Sequence, residues 1–422
     1  MTDTTETVYE ALTDARAQDD AVPESAPRNF VTHLLSLSSS KVADGLIDPK
    51  LVLSWLLTSL GAPTLYAGLL VPVREAGALL PQIFTAGPIA SRARRKWVWA
   101  AGAAGQGICA GGMVVAALTL SGAAAGATIV ALLAALALSR SICSVAYKDV
   151  LGKTAPQHAR GTATGLAGSV AAGGTILYGL LLSAGIFDKQ VLVICGIALA
   201  AGLWLLAGAL FTTLAEEANP GEGGTPRETL AKLPLIWQER ALGRFILVRG
   251  LLTATALAPP FMVTLGTSGA GESFGALGLL VLASAGAALV SGWVWGRLSD
   301  RSSRKVLIYA GLAAAVTLGL TTALALSGPL GMVTLPALLF GLMLAYQGVR
   351  VGRSTYLVDL APEEQRTLYT ALSNTVIGVI LIAGAGFGIL AQFAGAATVI
   401  AIMAAMSAGG ALLALTLEEV QD

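Results

Sequence analysis

The chain has 422 residues, of which 55% are hydrophobic and 12% are charged, and its formal net charge is +1. A soluble domain carries roughly twice this share of charged residues, because its surface faces water. The mean hydropathy of +0.74 therefore indicates that lipid surrounds most of the chain. The near-zero net charge gives no reason to expect a nucleic-acid partner.

The residue types that build catalytic and metal centres are scarce. The three cysteines lie within apolar runs, and the two histidines, His33 and His158, are far apart in the sequence. No spacing typical of a disulfide scaffold, a zinc site or a cysteine–histidine catalytic pair occurs. The chain also has no G-x-x-x-x-G-K-[ST] motif for ATP. The sequence therefore indicates neither an enzyme nor a protein that needs a metal or cofactor.

The first 50 residues differ from a signal peptide and are predicted to be an acidic cytoplasmic tail. They carry nine acidic and four basic residues, whereas a secretory signal begins with positive charge. We expect residues 1–27 to be disordered, because they are polar and acidic. Residues 29–47 mix apolar and polar side chains, which favours a short interfacial helix.

Apolar runs of about 20 residues, long enough to cross a bilayer, recur twelve times along the chain. The first six cover residues 51–71, 74–91, 97–120, 125–146, 161–185 and 191–214. After a charged loop at 215–243, the others cover residues 244–265, 274–298, 306–327, 332–351, 368–393 and 396–417, followed by a tail at 418–422. This pattern predicts an all-α membrane protein with two six-helix bundles, at 51–214 and 244–417.

Lysine and arginine are distributed unequally between the loops. Loops that follow even-numbered spans hold most of them, whereas loops after odd-numbered spans hold only Arg74 and Lys189. Basic residues stay on the cytoplasmic side of a membrane, so this asymmetry predicts that both termini are cytoplasmic. We expect a multi-pass, monomeric protein of a bacterial inner membrane that contacts lipid.

Two of the basic loops repeat each other. The matching residues are Gly87, Arg92, Arg95 and Lys96 in the first loop and Gly296, Arg301, Arg304 and Lys305 in the second. Each pair is 209 positions apart, which indicates two halves that repeat in parallel. The second loop also contains Asp300, where the first has Ser91.

This loop pattern, G-x-x-x-D-R-x-G-R-K/R, resembles the cytoplasmic loop signature of the major facilitator superfamily, and the likeness covers residues 45–420. The resemblance implies twelve helices and a secondary transporter that moves a small solute by alternating access, either coupled to protons or as a uniporter. It also implies that Asp300 latches the two bundles at the cytoplasmic side, a role that Ser91 leaves in doubt for the first half. The basic residues could instead only set the topology and bind anionic lipid.

An alternative function on the same fold is a membrane protein that does not transport but acts in complex assembly or sensing. The acidic N-terminal tail would then be its docking segment. Flux of labelled solutes distinguishes this alternative from a transporter.

A second repeated feature is a pair of charges near the ends of the fourth and tenth spans. Arg140 and Asp149 recur as Arg350 and Asp359, 210 positions later. Because the spacing is duplicated, a role shared by both halves is favoured over direct contact with a substrate. We expect these four residues to form gate or stabilising ion pairs between helices.

Polar side chains within the spans are the candidates for the solute path, since a charge in lipid is costly. Arg74 and Glu75 lie at the predicted outer junction of the first two spans, where Glu75 could carry a proton or the two could form an interfacial charge pair. Arg249 could contact an anionic substrate or extend to the lipid headgroups. Gln82 and Asn374 could line a cavity or satisfy backbone groups of neighbouring helices.

Overall fold

The computed structural model describes residues 5–7, 9–10, 25–219, 225–267, 277–299, 301–328, 330–362 and 366–420. Within these ranges the chain consists of α-helices joined by short turns, without β-strands. Asp300 lies outside the described ranges, so the latch stays a prediction. Most of the first 24 residues also lie outside them, but residues 5–7 and 9–10 are helical and the buried Tyr9 packs against Phe30, so the expected disorder is wrong for these residues.

The helices are numbered in chain order. Those of the first half are α1 Ala26–Leu46, α2 Val52–Ser59, α3 Thr64–Leu79, α4 Gln82–Ala90, α5 Lys96–Thr119, α6 Gly122–Thr154, α7 Gln157–Ala184 and α8 Lys189–Phe211. Those that follow are α9 Pro226–Ala231, α10 Leu235–Gln238, α11 Arg240–Leu252, α12 Ala254–Leu257, α13 Pro259–Thr267, α14 Leu277–Ser299, α15 Ser303–Ser327, α16 Thr334–Leu360, α17 Arg366–Gly384, α18 Gly386–Ala394 and α19 Ala396–Ala414.

Nine helical segments of the described chain are long and apolar enough to cross a membrane. They are α5, α6, α7, α8, the joined α11–α13, α15, α16, the joined α17–α18 and α19. Their bounds match the predicted spans within a few residues at most ends. However, α6 and α16 extend about two turns past the predicted ends at residues 146 and 351, because charged residues there continue the helix.

The start of the chain differs from the prediction. Residues 26–46 do not form part of a tail or an interfacial helix; they form α1, whose Phe30 and Ala43 are fully buried. The predicted first span at 51–71 is also wrong, because the chain turns at residues 60–63 and a new helix begins at Thr64. Gly61 supplies the left-handed backbone conformation (φ 73°) that this turn needs.

The prediction failed here because polar side chains lowered the hydropathy of α1. His33, Ser36 and Ser38 are nevertheless buried within the protein, since α1 packs against α7 and α8. As a result, Arg74 and Glu75 lie in the middle of α3 and not at a junction between spans. The predicted central loop is also partly helical, because α9 and α10 lie within it and α11 begins at Arg240.

The packing of the helices repeats between the two halves. In the first half α5 packs against α6 and α8, and in the second half α15 packs against α16 and α19. These helices hold equivalent positions in the chain order. Contacts between the halves are made by α3 with α17 and α18, and by α7 with α14.

The turns of the chain lie at two ends of the molecule. The end called the basic face carries the turns at 91–95 and 212–219, where Asn219 N donates to Ala93 O at 3.0 Å. The end called the opposite face carries the turns at 60–63 and 120–121, where Gly122 N donates to Leu60 O at 2.7 Å.

Two helix crossings near the opposite face depend on glycine. A Cβ on Gly68 of α3 would overlap Cα of Gly388 of α18, and a Cβ on Gly388 would lie 2.7 Å from Leu65 O. A Cβ on Gly278 of α14 would lie 2.8 Å from the carbonyl oxygen of Gly179 of α7. Gly278 follows Gly68 by 210 positions, and Gly388 follows Gly179 by 209, so both crossings obey the internal repeat.

Candidate functional site

The first repeated loop forms ion pairs within its own half. Arg95, whose side chain is 6% exposed, bonds the carboxylate of Asp149 on α6. The same carboxylate lies 3.1 Å from Lys153 Nζ. Arg95 also donates to the carbonyl oxygens of Ile89 and Ala90. Arg95 therefore caps the C-terminal end of α4 and links this end to α6 through the ion pair with Asp149.

Glu216 caps the helix that follows this loop. Its two carboxylate oxygens accept from Arg95 N at 2.9 Å and Lys96 N at 2.8 Å, at the N-terminus of α5. Lys96 Nζ donates to the carbonyl oxygens of Thr212 and Leu214, at the end of α8. The acidic Glu216 thus lies at the N-terminus of α5, and the basic Lys96 Nζ lies at the C-terminal end of α8. Each charge is opposite in sign to the partial charge of its helix terminus.

The second half has a corresponding cap. Ser302 accepts from Lys305 N at 3.1 Å and donates to Glu419 Oε2 at 2.7 Å. Tyr356 OH donates to Glu418 O at 3.0 Å, which fixes the end of the chain against α16. Glu419 and Glu216 each lie five residues after the last helix of their half. The sequence contains this repeat as Thr-Leu-x-Glu at 213–216 and 416–419, but its offset of 203 positions differs from the 209 of the basic loops, which concealed it.

The other residues of the two loops are less constrained. Arg92 and Arg301 are exposed. Arg304 is half-buried, and its Nε has no partner among the described residues. A Cβ on Gly296 would meet no described atom within 4 Å, so this glycine makes no close helix contact with a described residue.

Ten charged side chains form one group between α1, α3, α6, α11 and α16, called the central charge cluster. Each of them interacts electrostatically with at least one other member. The members are Lys41, Asp44, Asp48, Lys50, Arg74, Glu75, Arg140, Arg249, Arg350 and Arg353.

Asp44 of α1 links three helices of the first half. Its carboxylate accepts from Arg74 Nη2 of α3 at 2.7 Å and also bonds Arg140 of α6. Arg140 and Asp149 thus each pair with a residue of another element, Asp44 and Arg95, and not with each other, since the two lie nine residues, or about 13 Å, apart on the same helix. Asp359 is exposed at the equivalent place on α16.

Glu75 and Lys50 contribute opposite charges at the boundary between the halves. Lys50 is 8% exposed, and its Nζ lies 3.5 Å from the ring centroid of Tyr346 on α16. Glu75 has no ion-pair partner within 4.0 Å in the part of the chain that the structure describes. The cations that act on it from farther away are Lys50, Arg74, Arg140, Arg249 and Arg353.

Arg249 of α11 is buried against α17. Its Nη1 donates to Ser373 Oγ at 2.7 Å, and its Nη2 donates to Asn374 Oδ1 at 2.9 Å. Because Arg249 is 6% exposed and directed at another helix, it does not extend to the lipid headgroups. Among the described residues, no atom accepts a hydrogen bond from its Nε.

Two adjoining cavities lie beside this cluster. The larger, of about 530 Å³, lies between α3–α4 and α6 on one side and α17 on the other. The smaller, of about 280 Å³, lies between α1, α5 and α6, and both are lined by Ser144 and Lys148. The larger cavity is also lined by Leu79, Gln82, Gly87, Ala90, Thr225, Thr370 and Asn374, and the smaller by Lys41, Asp44, Gln106, Arg140 and Cys143.

Two of the five predicted path residues line the larger cavity, whereas Arg74, Glu75 and Arg249 line neither of the two cavities. Gln82 and Asn374 line the larger cavity from opposite sides, and Gln82 Nε2 donates to Ala78 O at 2.8 Å. Lys41 and Asp44 were missed, because they were assigned to the tail. Their spacing in Lys41, Asp44 and Asp48 is i, i+3, i+7, which places all three on one helical face and could have indicated an amphipathic span.

No group of histidine, cysteine or acidic side chains suited to a metal ion occurs among the residues with described positions. The cavities instead offer ammonium, guanidinium, hydroxyl and amide groups. These are the groups that bind small polar solutes by charge and hydrogen bonds.

Comparison with known proteins supports the fold. A family model described as Major Facilitator Superfamily matches residues 34–349, beginning inside α1. No curated protein matches the chain by sequence. The solved structures that resemble it share its fold over nearly their whole length.

One is a POT family transporter in complex with 5-aminolevulinic acid, with a TM-score of 0.70 and 11% identity over 92% of this chain and 95% of that chain. A D-xylose-proton symporter has a TM-score of 0.68 and 14% identity, covering 93% and 98% of the two chains. The nucleoside transporter NupG has a TM-score of 0.65 and 13% identity, covering 92% and 99%. From the family match and the shared fold, the chain belongs to the Major Facilitator Superfamily.

Proposed function

We propose that this member of a superfamily of transporters moves a small solute across a bacterial inner membrane by alternating access between its two halves. We further propose twelve spans, in which α1–α2, α3–α4 and α14 join the nine apolar segments. Each half then forms one six-helix bundle, at about 26–211 and 240–414. With the basic face in the cytoplasm, both termini are cytoplasmic.

One observation carries this proposal: among the described residues, the larger cavity between the halves opens toward the basic face, while glycine crossings bring the halves together at the opposite face. The larger cavity extends from Leu79 to Ala90, about 16 Å along α3–α4, and reaches Thr225 at the basic face. At the opposite face the glycine crossings bring α3 onto α18 and α7 onto α14. Such a shape corresponds to one of the two states of an alternating-access cycle, open to the cytoplasm.

Relatives of this fold suggest the kind of cargo. The solved structures include a symporter for D-xylose and a transporter for nucleosides, and one POT family structure holds 5-aminolevulinic acid. All three compounds are small and polar. A cavity of about 530 Å³ is within the range of small-molecule sites, so we infer a cargo of similar size.

Proton coupling is proposed through Glu75. Of the three acids in the central charge cluster, Asp44 holds two arginines, and Asp48 Oδ1 accepts from Lys50 N at 2.7 Å. Glu75 is the acid of the three without a hydrogen bond or a short ion pair among the described residues, so it can gain a proton without breaking such a contact.

Counterflow of labelled solutes into proteoliposomes tests the transport proposal. Saturable uptake that exceeds protein-free vesicles supports it. Absence of flux for every solute, together with a stable partner protein recovered from membranes, would instead support the alternative role in assembly or sensing.

A further inference from the structure

The central charge cluster contains more positive than negative charge. It has seven cations and three acids. The first half contributes four of the cations and all three acids, whereas the second half contributes Arg249, Arg350 and Arg353 without an acid. Because uncompensated charge inside a membrane protein is costly, such an excess indicates a binding role.

Arg249 is a buried cation of this cluster that forms no ion pair within 4.0 Å among the described residues, although Glu75 acts on it from farther away. It is 6% exposed, and its described hydrogen-bond partners, Ser373 Oγ and Asn374 Oδ1, are neutral oxygens. Its Nε is buried and unpartnered among the described residues. Removing a guanidinium from water without an anion costs several kcal/mol, of the order found for buried ions. A structural role alone does not require this cost, since a neutral side chain could bond the same two oxygens.

The position of Arg249 connects it to the larger cavity. Asn374, which accepts its hydrogen bond, also lines that cavity. The side-chain amide of Asn374 therefore lies between the Arg249 guanidinium and the larger cavity. A rotation of Asn374 would expose Nη2 and Nε together, and these are donors that fit two oxygens of one carboxylate or phosphate.

The first half presents further positive charge to the same space. Lys148 lines both cavities, and Lys41 and Arg140 line the smaller one. Lys41 Nζ donates to a backbone carbonyl, Thr164 O at 2.8 Å, and not to a described acid. Asp44 is the one acid among the described residues that line the two cavities, and its carboxylate already forms ion pairs with two arginines.

We propose that the cargo is a small organic anion, whose carboxylate or phosphate replaces Asn374 as the partner of Arg249. This inference rests on the proposed transport function, and it adds the chemical class of the substrate. The anion would face Lys41 and Lys148 of the first half while Arg249 holds it from the second. Binding from both halves is the contact that an alternating-access cycle needs to couple cargo to bundle movement.

The site can be tested without a known substrate, with sulfate as the probe on detergent-solubilised full-length protein. Thermal unfolding is measured at constant ionic strength while sulfate replaces chloride. We expect a saturable rise in unfolding temperature, and Arg249→Gln should weaken the apparent sulfate affinity by at least about tenfold. The control is Arg244→Gln, which removes an exposed arginine from the same helix and should leave the sulfate response unchanged.

Sulfate also stabilises proteins without binding, in a manner that does not saturate. A response that is linear in sulfate and equal in wild type, Arg249→Gln and Arg244→Gln would overturn the inference. Arg249→Lys should recover only part of the sulfate affinity that Arg249→Gln loses, because an ammonium group cannot form the bidentate hydrogen bonds of a guanidinium.

Flux separates this inference from the transport proposal. Proteoliposomes are tested with matched pairs, such as succinate with succinamide and glycerol phosphate with glycerol. Preference for the anion of a pair, lost in Arg249→Gln, supports the inference. Transport of neutral members at equal or higher rates would overturn it while transport itself stands, and saturable sulfate binding without any flux would overturn transport alone.

Discussion

Asp44 links α1 to two other helices, because its carboxylate forms ion pairs with Arg74 of α3 and Arg140 of α6. Both arginines lie within spans, where lipid offers them no partner. Loss of the acid therefore leaves two cations unpaired, which costs more than loss of either arginine.

Replacement of this acid gives the first prediction. Asp44→Asn should destabilise the protein by about 2 kcal/mol, less than for a fully buried pair because the Asp44 side chain is 21% exposed. Thermal unfolding in detergent measures the loss. The double variant Asp44→Asn with Arg140→Gln should recover part of it, since one unpaired cation is removed. If Asp44→Asn unfolded at the wild-type temperature, the ion pairs would not stabilise the bundle.

Glu75→Gln provides the second prediction, which concerns coupling. The variant should retain counterflow, because this exchange needs no net proton movement, but should lose uptake driven by a pH gradient. The variant alters none of the charged groups around Glu75, which are Asp48, Lys50, Arg74, Arg140, Arg249 and Arg353. Initial rates with and without an imposed gradient measure the effect. Gradient-driven uptake equal to wild type would remove Glu75 as the proton site.

At the scale of helices, the caps at the basic face repeat although their residues differ. Glu216 bonds the backbone of the first loop directly, while Glu419 acts through Ser302. Both tie the end of the last helix in a half to the start of its third. Each half can therefore move as a unit, which rocking of two bundles requires.

The two caps differ in how many helix-terminal groups they satisfy, which gives the third prediction. Glu216→Ala leaves two buried N–H groups without acceptors and should cost about 1–3 kcal/mol. Glu419→Ala removes one side-chain contact to Ser302, which still caps Lys305 N, and should cost less. Thermal unfolding of the two variants compares them directly. Equal losses would show that the described hydrogen bonds do not determine the effect.

The elements that could be predicted from the sequence are those with a continuous apolar run. Segments such as α5 and α8 are apolar all round, so their hydropathy alone located them within a few residues. By contrast, α1 places Lys41 and Asp44 toward the protein interior, and its low hydropathy concealed a helix of the bundle. Residues of the site were therefore missed where function requires charge inside a span.

The spacing of charges could not predict their partners. Arg140 and Asp149 have the same spacing as Arg350 and Asp359. Nevertheless, Arg140 pairs with Asp44 and Asp149 pairs with Arg95, both on other elements. Contacts between helices depend on their relative rotation and depth, which a single sequence does not define. For Gln82 and Asn374 the sequence left open whether they line a cavity or bond backbone groups, and both line the larger cavity because they lie on helices that face the other half.

At the scale of the whole molecule, the two halves meet through symmetric contacts at one end. The repeat that relates the basic loops also relates Gly68 to Gly278 and Gly179 to Gly388. At one crossing Gly68 meets Gly388, and at the other Gly278 meets Gly179. The second crossing therefore consists of the repeat counterparts of the residues in the first. A change at either crossing should therefore have the same effect on the balance between the two states.

This symmetry yields the fourth prediction. Gly68→Val and Gly179→Val should each prevent close approach at the opposite face, because a side chain there would overlap α18 or α14. Distances between spin labels at Ser121→Cys and Phe393→Cys, in a background without native cysteines, should lengthen in both variants. Gly202→Val is the control, since a Cβ there meets no described atom within 4 Å. If Gly68→Val and Gly179→Val kept the wild-type distance, the crossings would not close that face, and the state open only to the cytoplasm would need another cause.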